Sequence, residues 1–288
     1  MKRHPCSSGT TQESEAVWRV DSFEALLAEL EQLRASAEKN DALLLYRGHK
    51  QAKWLLDSTF VRSFKMTLFG IEPHERFSQT ITQSAELNLS ILNLFLLKFG
   101  VLSRPSDELL KEAEEQDLDP WFEFIKRTQQ YPEEQGCFLP GTNLVDWSLS
   151  SDVGLFFAND GRSDDGAIFV CDASATGKTH QTISYGAVID LMNEKGNSGE
   201  LLGVPLLVQP PRHIHNPRPK NQQATYFAQM DMRYDLERIW RQCERGGEDK
   251  IILKIILPKE TISDISAYLQ DKGIDGKFIY PDNVSGDA

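Results

Sequence analysis

Two regions of the chain have the residue pattern of buried strands, and a region with the pattern of helices lies between them. This order constrains the fold more than any other feature of the chain. The apolar run Leu43–Tyr46 comes first, and the stretches 142–148, 166–172 and 250–258 follow later. Short apolar runs bounded by polar residues or glycine indicate interior strands. Helical periodicity fills much of the interval between them, at 74–99 and 119–131. The order predicts an α+β fold: a split, mixed β-core with an N-terminal helix and a helical insertion over about residues 65–135.

Local signals place further elements. Asp21 and Glu24 stand at capping-box spacing, before an apolar stripe at helical spacing, and predict the N-terminal helix. Ser151 and Asp152 are candidate caps of a helix over 153–160. The stretch 186–194 fits helix and strand equally, and 277–282 predicts a terminal strand or turn. We expect a loose N-terminus over 1–16 and a single domain over 17–288.

Composition limits the classes of function. The formal net charge is −12, which argues against a broad nucleic-acid-binding face but leaves room for a local basic cleft, and basic residues gather in 210–223. The chain shows no bilayer-spanning apolar run, and its four cysteines are scattered, so we expect a cytoplasmic protein that does not enter membranes. We expect no metal site, because His213 and His215 have no further ligands near them in sequence.

The first strand ends unusually. Arg47 and Gly48 follow the apolar run directly, and burying a guanidinium is costly unless an anion meets it. Two interpretations are open. Arg47 binds the phosphates of a ligand, or it forms a buried ion pair with Asp146 that joins two strands.

Three motifs occur in order along the chain, and together they resemble the FRG domain family, which is named for a Phe-Arg-Gly-like tripeptide. The first is Tyr46-Arg47-Gly48 followed by Trp54. The second is the stretch 142–158, "TNLVDWSLSSDVGLFFA". The third joins Arg218, the pair Gln222–Gln223 and Phe227. The resemblance covers about residues 40–282.

The same residues are similar to the Arg–Ser–Glu pattern of ADP-ribosyltransferases, which implies NAD as a substrate. In that reading Arg47 grips the pyrophosphate of NAD and Gly48 lets the dinucleotide approach the backbone. Ser148 and Ser150 lie two residues apart, so both side chains point to one face and help to form the ribose pocket together with Trp147. Trp54 and Trp147 also read as core aromatics.

The third element departs from that pattern. No Glu-x-Glu or Gln-x-Glu occurs around 216–230. The catalytic group is therefore Gln222, Gln223 or Asp146, or the site binds without catalysing transfer. We expect Asp231 and Glu237 to be surface groups.

The resemblance implies an NAD-dependent ADP-ribosyltransferase that modifies a nucleobase or a protein side chain. By analogy it acts in phage defence or as a toxin, with an antitoxin or regulatory protein as a partner. The alternative is a non-catalytic FRG module that binds a nucleotide or a partner protein.

Overall fold

A computed structural model describes residues 17–100, 107–108, 111, 120–130, 139–175, 184–198, 204–208, 217–245 and 250–281. In these ranges seven strands form one mixed sheet in the order β1-β7-β4-β2-β3-β6-β5. The strands are β1 (Val17–Arg19), β2 (Leu44–His49), β3 (Leu144–Ser148), β4 (Gly166–Asp172), β5 (Leu206–Val208), β6 (Ala224–Ala228) and β7 (Ile252–Leu257). The α+β class predicted from the sequence is confirmed.

Helices surround this sheet. In chain order they are α1 (Phe23–Asn40), α2 (Thr59–Phe69), α3 (Gln79–Thr82), α4 (Ala85–Gly100), α5 (Pro120–Gln130), α6 (Ser151–Asn159), α7 (Tyr185–Ser198), α8 (Pro217–Asn221), α9 (Leu236–Arg245), α10 (Ile262–Asp271) and α11 (Gly276–Ile279). Helices α2 to α5 lie between β2 and β3 in sequence. None of the helices within the described ranges is long and apolar enough to cross a membrane.

The sheet is weakly joined at its centre. β2 pairs with β4 along its whole length, from Leu44↔Asp172 to His49↔Ala167, and β3 pairs with β6 along its own. Between β2 and β3 a single pair, Tyr46↔Ser148, is in register within these two strands. The sheet therefore consists of two halves, β1-β7-β4-β2 and β3-β6-β5, that meet at this seam.

The apolar core follows the same division. One cluster packs α2, α4, α5 and α7 against the half that contains β3, with Phe60, Phe95 and Tyr226 among its buried side chains. A second packs α1, α6, α10 and α11 against the half that contains β2. A third cluster packs α9 against the sheet and contains side chains of both halves, including Leu45, Trp147 and Phe169. It therefore joins the two halves of the sheet.

Several local predictions differ from the structure. Ser22, and not Asp21, caps α1 by accepting a hydrogen bond from the backbone N–H of Ala25. Ser150 caps α6 in the same way, ahead of the predicted Ser151. The ambiguous stretch 186–194 lies in α7, and the predicted terminal strand or turn includes part of α11, whose first turn Asp275 caps. Residues 1–16 and the pair His213–His215 lie outside the described residues.

Candidate functional site

A cleft of about 510 Å³ opens at the seam between the two half-sheets. Beyond the Tyr46–Ser148 pair, the end of β2 and the beginning of β3 diverge, and residues of both strands line the gap. Its volume lies in the range of about 300–1,000 Å³ that is typical of small-molecule sites. Charged side chains from five segments of the chain reach it: Arg47, Lys50, Arg62, Lys126, Asp146 and Arg218.

Gly48 lines the cleft, but the structure gives its missing side chain a different reason from ligand approach. A Cβ on Gly48 would lie 2.0 Å from the carbonyl oxygen of Gly154 and 2.3 Å from the backbone nitrogen of Ala158. Both atoms belong to α6, which crosses β2 at this point. Only glycine permits the contact, so Gly48 is needed for helix–strand packing.

Arg47 is half-buried, and the groups that accept its hydrogen bonds are neutral. Its Nε donates to Nε2 of His49 at 3.1 Å, and its Nη1 donates to the backbone carbonyl of Asp146. In the described part of the chain, no carboxylate lies within ion-pair distance of Arg47. Burial lowers the pKa of Arg47 to about 10, although the charge of Asp146 acts in the opposite direction. The geometry therefore does not show the buried Arg47–Asp146 ion pair that the sequence left open.

His49 holds Arg47 from the same face of β2, two residues further along the strand. It is 4% exposed and packs edge-on against Phe169, with ring centroids 5.1 Å apart. Burial and the positive charges of Arg47, Arg62 and Lys254 keep its pKa well below the usual value. Among the described residues its Nδ1 has no hydrogen-bond partner, although the nearby Trp54 backbone raises the pKa. His49 is therefore a neutral acceptor that fixes the orientation of the guanidinium.

Arg62, on the second turn of α2, brings another cation to the cleft. Its Nη1 donates to the carbonyl of Asp57 at 2.7 Å and its Nη2 to the hydroxyl of Thr59 at 2.9 Å. It makes no ion pair with a carboxylate of the described residues. Burial lowers its pKa, and its charge in turn lowers the pKa of Arg47. Two half-buried guanidiniums thus repel each other, an arrangement that an anion between them would stabilise.

Asp146 is the carboxylate among the described lining residues. Its side chain is 44% exposed and accepts a hydrogen bond from Nζ of Lys126, on α5, at 3.1 Å. The Lys126 ammonium also lies 4.2 Å from the ring centroid of Tyr226. Burial alone would lower the pKa of Lys126, but Asp146 and Tyr226 outweigh burial and raise it. Lys126 is therefore charged beside Asp146, whose side chain lines the cleft.

Ser148 and Gln222 join the two sides of the cleft floor. The Ser148 hydroxyl donates to the carbonyl of Gln222 at 2.7 Å and accepts from the backbone N–H of Ser150 at 2.9 Å. The amide nitrogen of Gln222 donates to the carbonyl of Ile279 at 3.2 Å. Both side chains line the cleft, and both have contacts that hold β3, α8 and α11 together.

Three residues predicted for the site are placed differently. The Ser150 hydroxyl accepts from the N–H of Val153 as the cap of α6, and Ser150 is not among the residues that line the cleft. Gln223 is exposed, has a left-handed backbone with φ of 45°, and also lies outside the lining. Trp147 belongs to the lining, but it is buried and its ring packs against Phe227 and Trp240 in the third core cluster. Its interpretation as a core aromatic is confirmed, because neighbouring residues of a strand point to opposite faces.

Two acidic residues expected on the surface are buried instead. Asp231 forms an ion pair with Arg233 at 2.7 Å, and Glu237 is paired with Arg241 across one turn of α9 at 3.7 Å. The sequence suggested exposed groups because the stretch that contains both residues, and that continues into α9, has a helical pattern. The structure lays this polar helix against the sheet and satisfies its charges within the helix and its neighbours.

Sequence reasoning missed Arg62, Lys126 and His49 as site residues. Arg62 interrupts the apolar pattern of α2, between Val61 and Phe64, and Lys126 follows the buried Ile125 in α5. A basic residue beside buried apolar ones was the available signal. It could not show that both side chains reach the same cleft.

Comparison of the chain with protein-family models, with curated proteins and with solved structures finds no match. The resemblance to the FRG family and to ADP-ribosyltransferases therefore rests on the quoted motifs. Within the described residues no group of three or more His, Cys, Asp or Glu side chains is placed to hold a metal ion.

Proposed function

We propose that this chain transfers ADP-ribose from NAD to a macromolecule, with nicotinamide as the leaving group, on an ADP-ribosyltransferase-like split sheet. The observation that carries the proposal is the pair of half-buried guanidiniums, Arg47 and Arg62, that share a cleft without a carboxylate partner among the described residues. A pyrophosphate is an anion that two planar guanidiniums bind well.

Each wall of the cleft has a role in this proposal. Arg47, oriented by His49, and Arg62 bind the pyrophosphate. Ser148 and Gln222 shape the ribose pocket at the cleft floor, and the half-buried Trp54 offers an aromatic wall beside them. Gln222 has a positioning role, because its side-chain amide nitrogen donates a hydrogen bond to the carbonyl of Ile279.

Asp146 supplies the carboxylate that the stretch 216–230 lacks. When the bond between the ribose C1′ and nicotinamide breaks, its electron pair goes to the nicotinamide ring and positive charge builds on the ribose. An ionised, oriented carboxylate stabilises that charge. The acceptor's lone pair then bonds to C1′, and its proton passes to Asp146.

The test is to incubate the purified chain with NAD and with ADP-ribose. A ligand that binds only the folded state stabilises it by about 2.7 kcal/mol at a hundredfold excess over its dissociation constant. We expect both ligands to raise the melting temperature and NAD to release nicotinamide. Asp146→Asn should lose turnover while keeping most of the ADP-ribose-induced shift. No shift with millimolar NAD, NADP or ADP-ribose would contradict the proposal.

One observation favours a second candidate, the non-catalytic nucleotide-binding module. The stretch 216–230 contains no glutamate, and Gln222 is held in a structural contact. A thermal shift with ADP-ribose, together with no nicotinamide release and no mass gain on any acceptor, would select this candidate.

A further inference from the structure

The charge of the cleft is opposite to that of the chain. The described lining contains five cationic side chains, Arg47, Lys50, Arg62, Lys126 and Arg218, and one carboxylate, Asp146. The chain as a whole has a formal net charge of −12. Concentrating positive charge in a concave site focuses the field there and attracts anions, while the rest of the surface repels them.

The cationic groups exceed what NAD needs. Arg47 and Arg62 are half-buried and suit the pyrophosphate, and Lys126 is paired with Asp146. Lys50 and Arg218 also line the cleft. Lys50 has a 42% exposed side chain and a long contact of 3.5 Å to the exposed Asp160, a surface pair of little energetic value. A cationic acceptor such as an arginine or lysine side chain would meet repulsion here, and a phosphodiester would meet attraction.

Two exposed apolar residues lie next to residues that line the cleft. Leu149 is 44% exposed and Phe278 is 38% exposed. Both border the turn that follows α8: the N–H of Leu149 donates to the carbonyl of Gln223 at 3.0 Å, and Asn221 donates to the carbonyl of Phe278 at 2.7 Å. Gln222, in the middle of this turn, lines the cleft.

The helix before this turn adds the cations. Arg218 lines the cleft, with its guanidinium carbon 4.8 Å from the ring centroid of Tyr280, and Lys220 on the same helix is exposed. An aromatic ring next to cationic side chains is the combination that binds single-stranded nucleic acids, since bases stack on the ring and phosphates contact the cations.

We propose that the macromolecular acceptor is a single-stranded nucleic acid, bound across the rim formed by Lys50, Leu149, Arg218, Lys220 and Phe278. This inference rests on the proposed function and adds the class of acceptor. A nitrogen or oxygen of an unstacked base forms the bond to C1′ of the ribose as the bond to nicotinamide breaks. The electron pair leaves with nicotinamide, and the proton of the base passes to Asp146.

The experiment separates binding from transfer. A fluorescently labelled single-stranded oligonucleotide of mixed sequence is titrated with the whole chain in the presence of ADP-ribose, and its anisotropy is followed at several salt concentrations. We expect binding that weakens steeply as salt rises, because phosphate contacts release counterions. In parallel, the oligonucleotide and an arginine- and lysine-rich peptide compete for ADP-ribose from NAD, with mass spectrometry of both. We expect the mass gain on the oligonucleotide.

Two rim variants and a matched control sharpen the test. Phe278→Ala should weaken oligonucleotide binding about five- to hundredfold, the range that one base–aromatic stack supports. Arg218→Gln should weaken it and flatten its salt dependence. The control is Phe69→Ala, which also removes an exposed phenylalanine but is not part of the proposed rim, since its ring packs against Phe64 and Phe77. It should bind the oligonucleotide as the wild type does, and circular dichroism checks the fold of all three.

The outcomes are distinguishable. Nicotinamide release with a mass gain on the peptide, and no oligonucleotide binding, overturns this inference and leaves the proposed function intact. Oligonucleotide binding that the rim variants do not change also overturns it. Rim-dependent binding without nicotinamide release supports the surface and refutes the transferase function instead.

Discussion

Arg47 ends an apolar strand, and its contacts explain how the fold tolerates it. Nε donates to the neutral His49 and Nη1 to a backbone carbonyl, so the guanidinium is held without a carboxylate of the described chain. A buried ion pair lies elsewhere: Lys65 and Asp57 are 2.6 Å apart, with side chains 2% and 1% exposed. The two sites allow a direct comparison.

We expect Arg47→Ala to fold, because Asp146 keeps its partner Lys126. The loss should be about 1–3 kcal/mol, from the two acceptors left unpaired. Lys65→Met is the contrast, since it leaves a buried carboxylate alone, at a cost of about 3–5 kcal/mol. Arg47→Lys should fold and still bind NAD poorly, because lysine lacks the planar fork. Urea denaturation and ADP-ribose titration measure both effects. A large stability loss in Arg47→Ala, with full NAD binding by Arg47→Lys, would make the arginine architectural.

His49 predicts a pH dependence of stability. Its folded pKa lies well below the ordinary value of about 6.5, so below that pH the unfolded chain takes up a proton that the folded chain refuses. Stability is therefore present above about pH 6.5 and is lost as the pH falls. Between about pH 7.5 and 5, the wild type should lose up to about 2 kcal/mol more than His49→Gln. Chemical denaturation at each pH measures this, with His74→Gln, at an exposed position, as the matched control. Parallel losses in wild type and His49→Gln would refute the prediction.

At the scale of elements, the contact between β2 and α6 positions the site. Gly48 and Gly154 remove the side chains that would separate strand from helix, and Gly154 itself would place a Cβ 3.0 Å from the Cβ of Tyr46. The close crossing fixes β2 on one side of the cleft. The short turn Leu149–Ser150 between β3 and α6 ties the other side to the same helix.

Gly48→Ala tests which role the glycine has. The new Cβ would clash with backbone atoms that cannot move independently, so we expect a destabilisation of at least about 3 kcal/mol. Gly276→Ala is the control, since a Cβ there meets nothing within 4 Å. Thermal and urea denaturation compare the two proteins. If Gly48→Ala keeps wild-type stability and loses only NAD affinity, the glycine serves the ligand instead.

At the scale of the whole molecule, the two half-sheets are joined between β2 and β3 by one residue pair in register, Tyr46↔Ser148. They also share the apolar cluster that packs against α9. A ligand in the cleft contacts both halves and adds bonds across the weakest join in the sheet. The rest of the sheet is continuous, and its outer pairs, such as Trp18↔Ile255, lie away from the seam.

Hydrogen exchange measured by mass spectrometry tests this division. We expect saturating ADP-ribose to slow deuterium uptake in peptides covering 44–50 and 142–149, because binding suppresses opening at the seam. Peptides covering β1 and β7 should exchange at the same rate with and without ligand. Equal protection throughout the sheet would show that the halves open as one unit.

The sequence by itself determined the class of the fold and part of the site. Apolar runs of strand length and helical periodicity are local properties, so they located β2, β3, β4, β7 and most helices, and the α+β class followed from their order. The quoted motifs brought Arg47, Asp146, Ser148 and Gln222 into one candidate site, and the structure places all four around one cleft.

Only the tertiary structure decided the rest. Whether a strand residue faces cleft or core depends on alternation and register, so the Trp147 ring entered the core although Asp146 and Ser148, on either side of it, line the cleft. The need for Gly48 comes from α6 crossing β2, and Arg62, Lys126 and Arg218 reach the cleft from segments far apart in the chain. Such contacts depend on how elements pack, and no local pattern of residues encodes that packing.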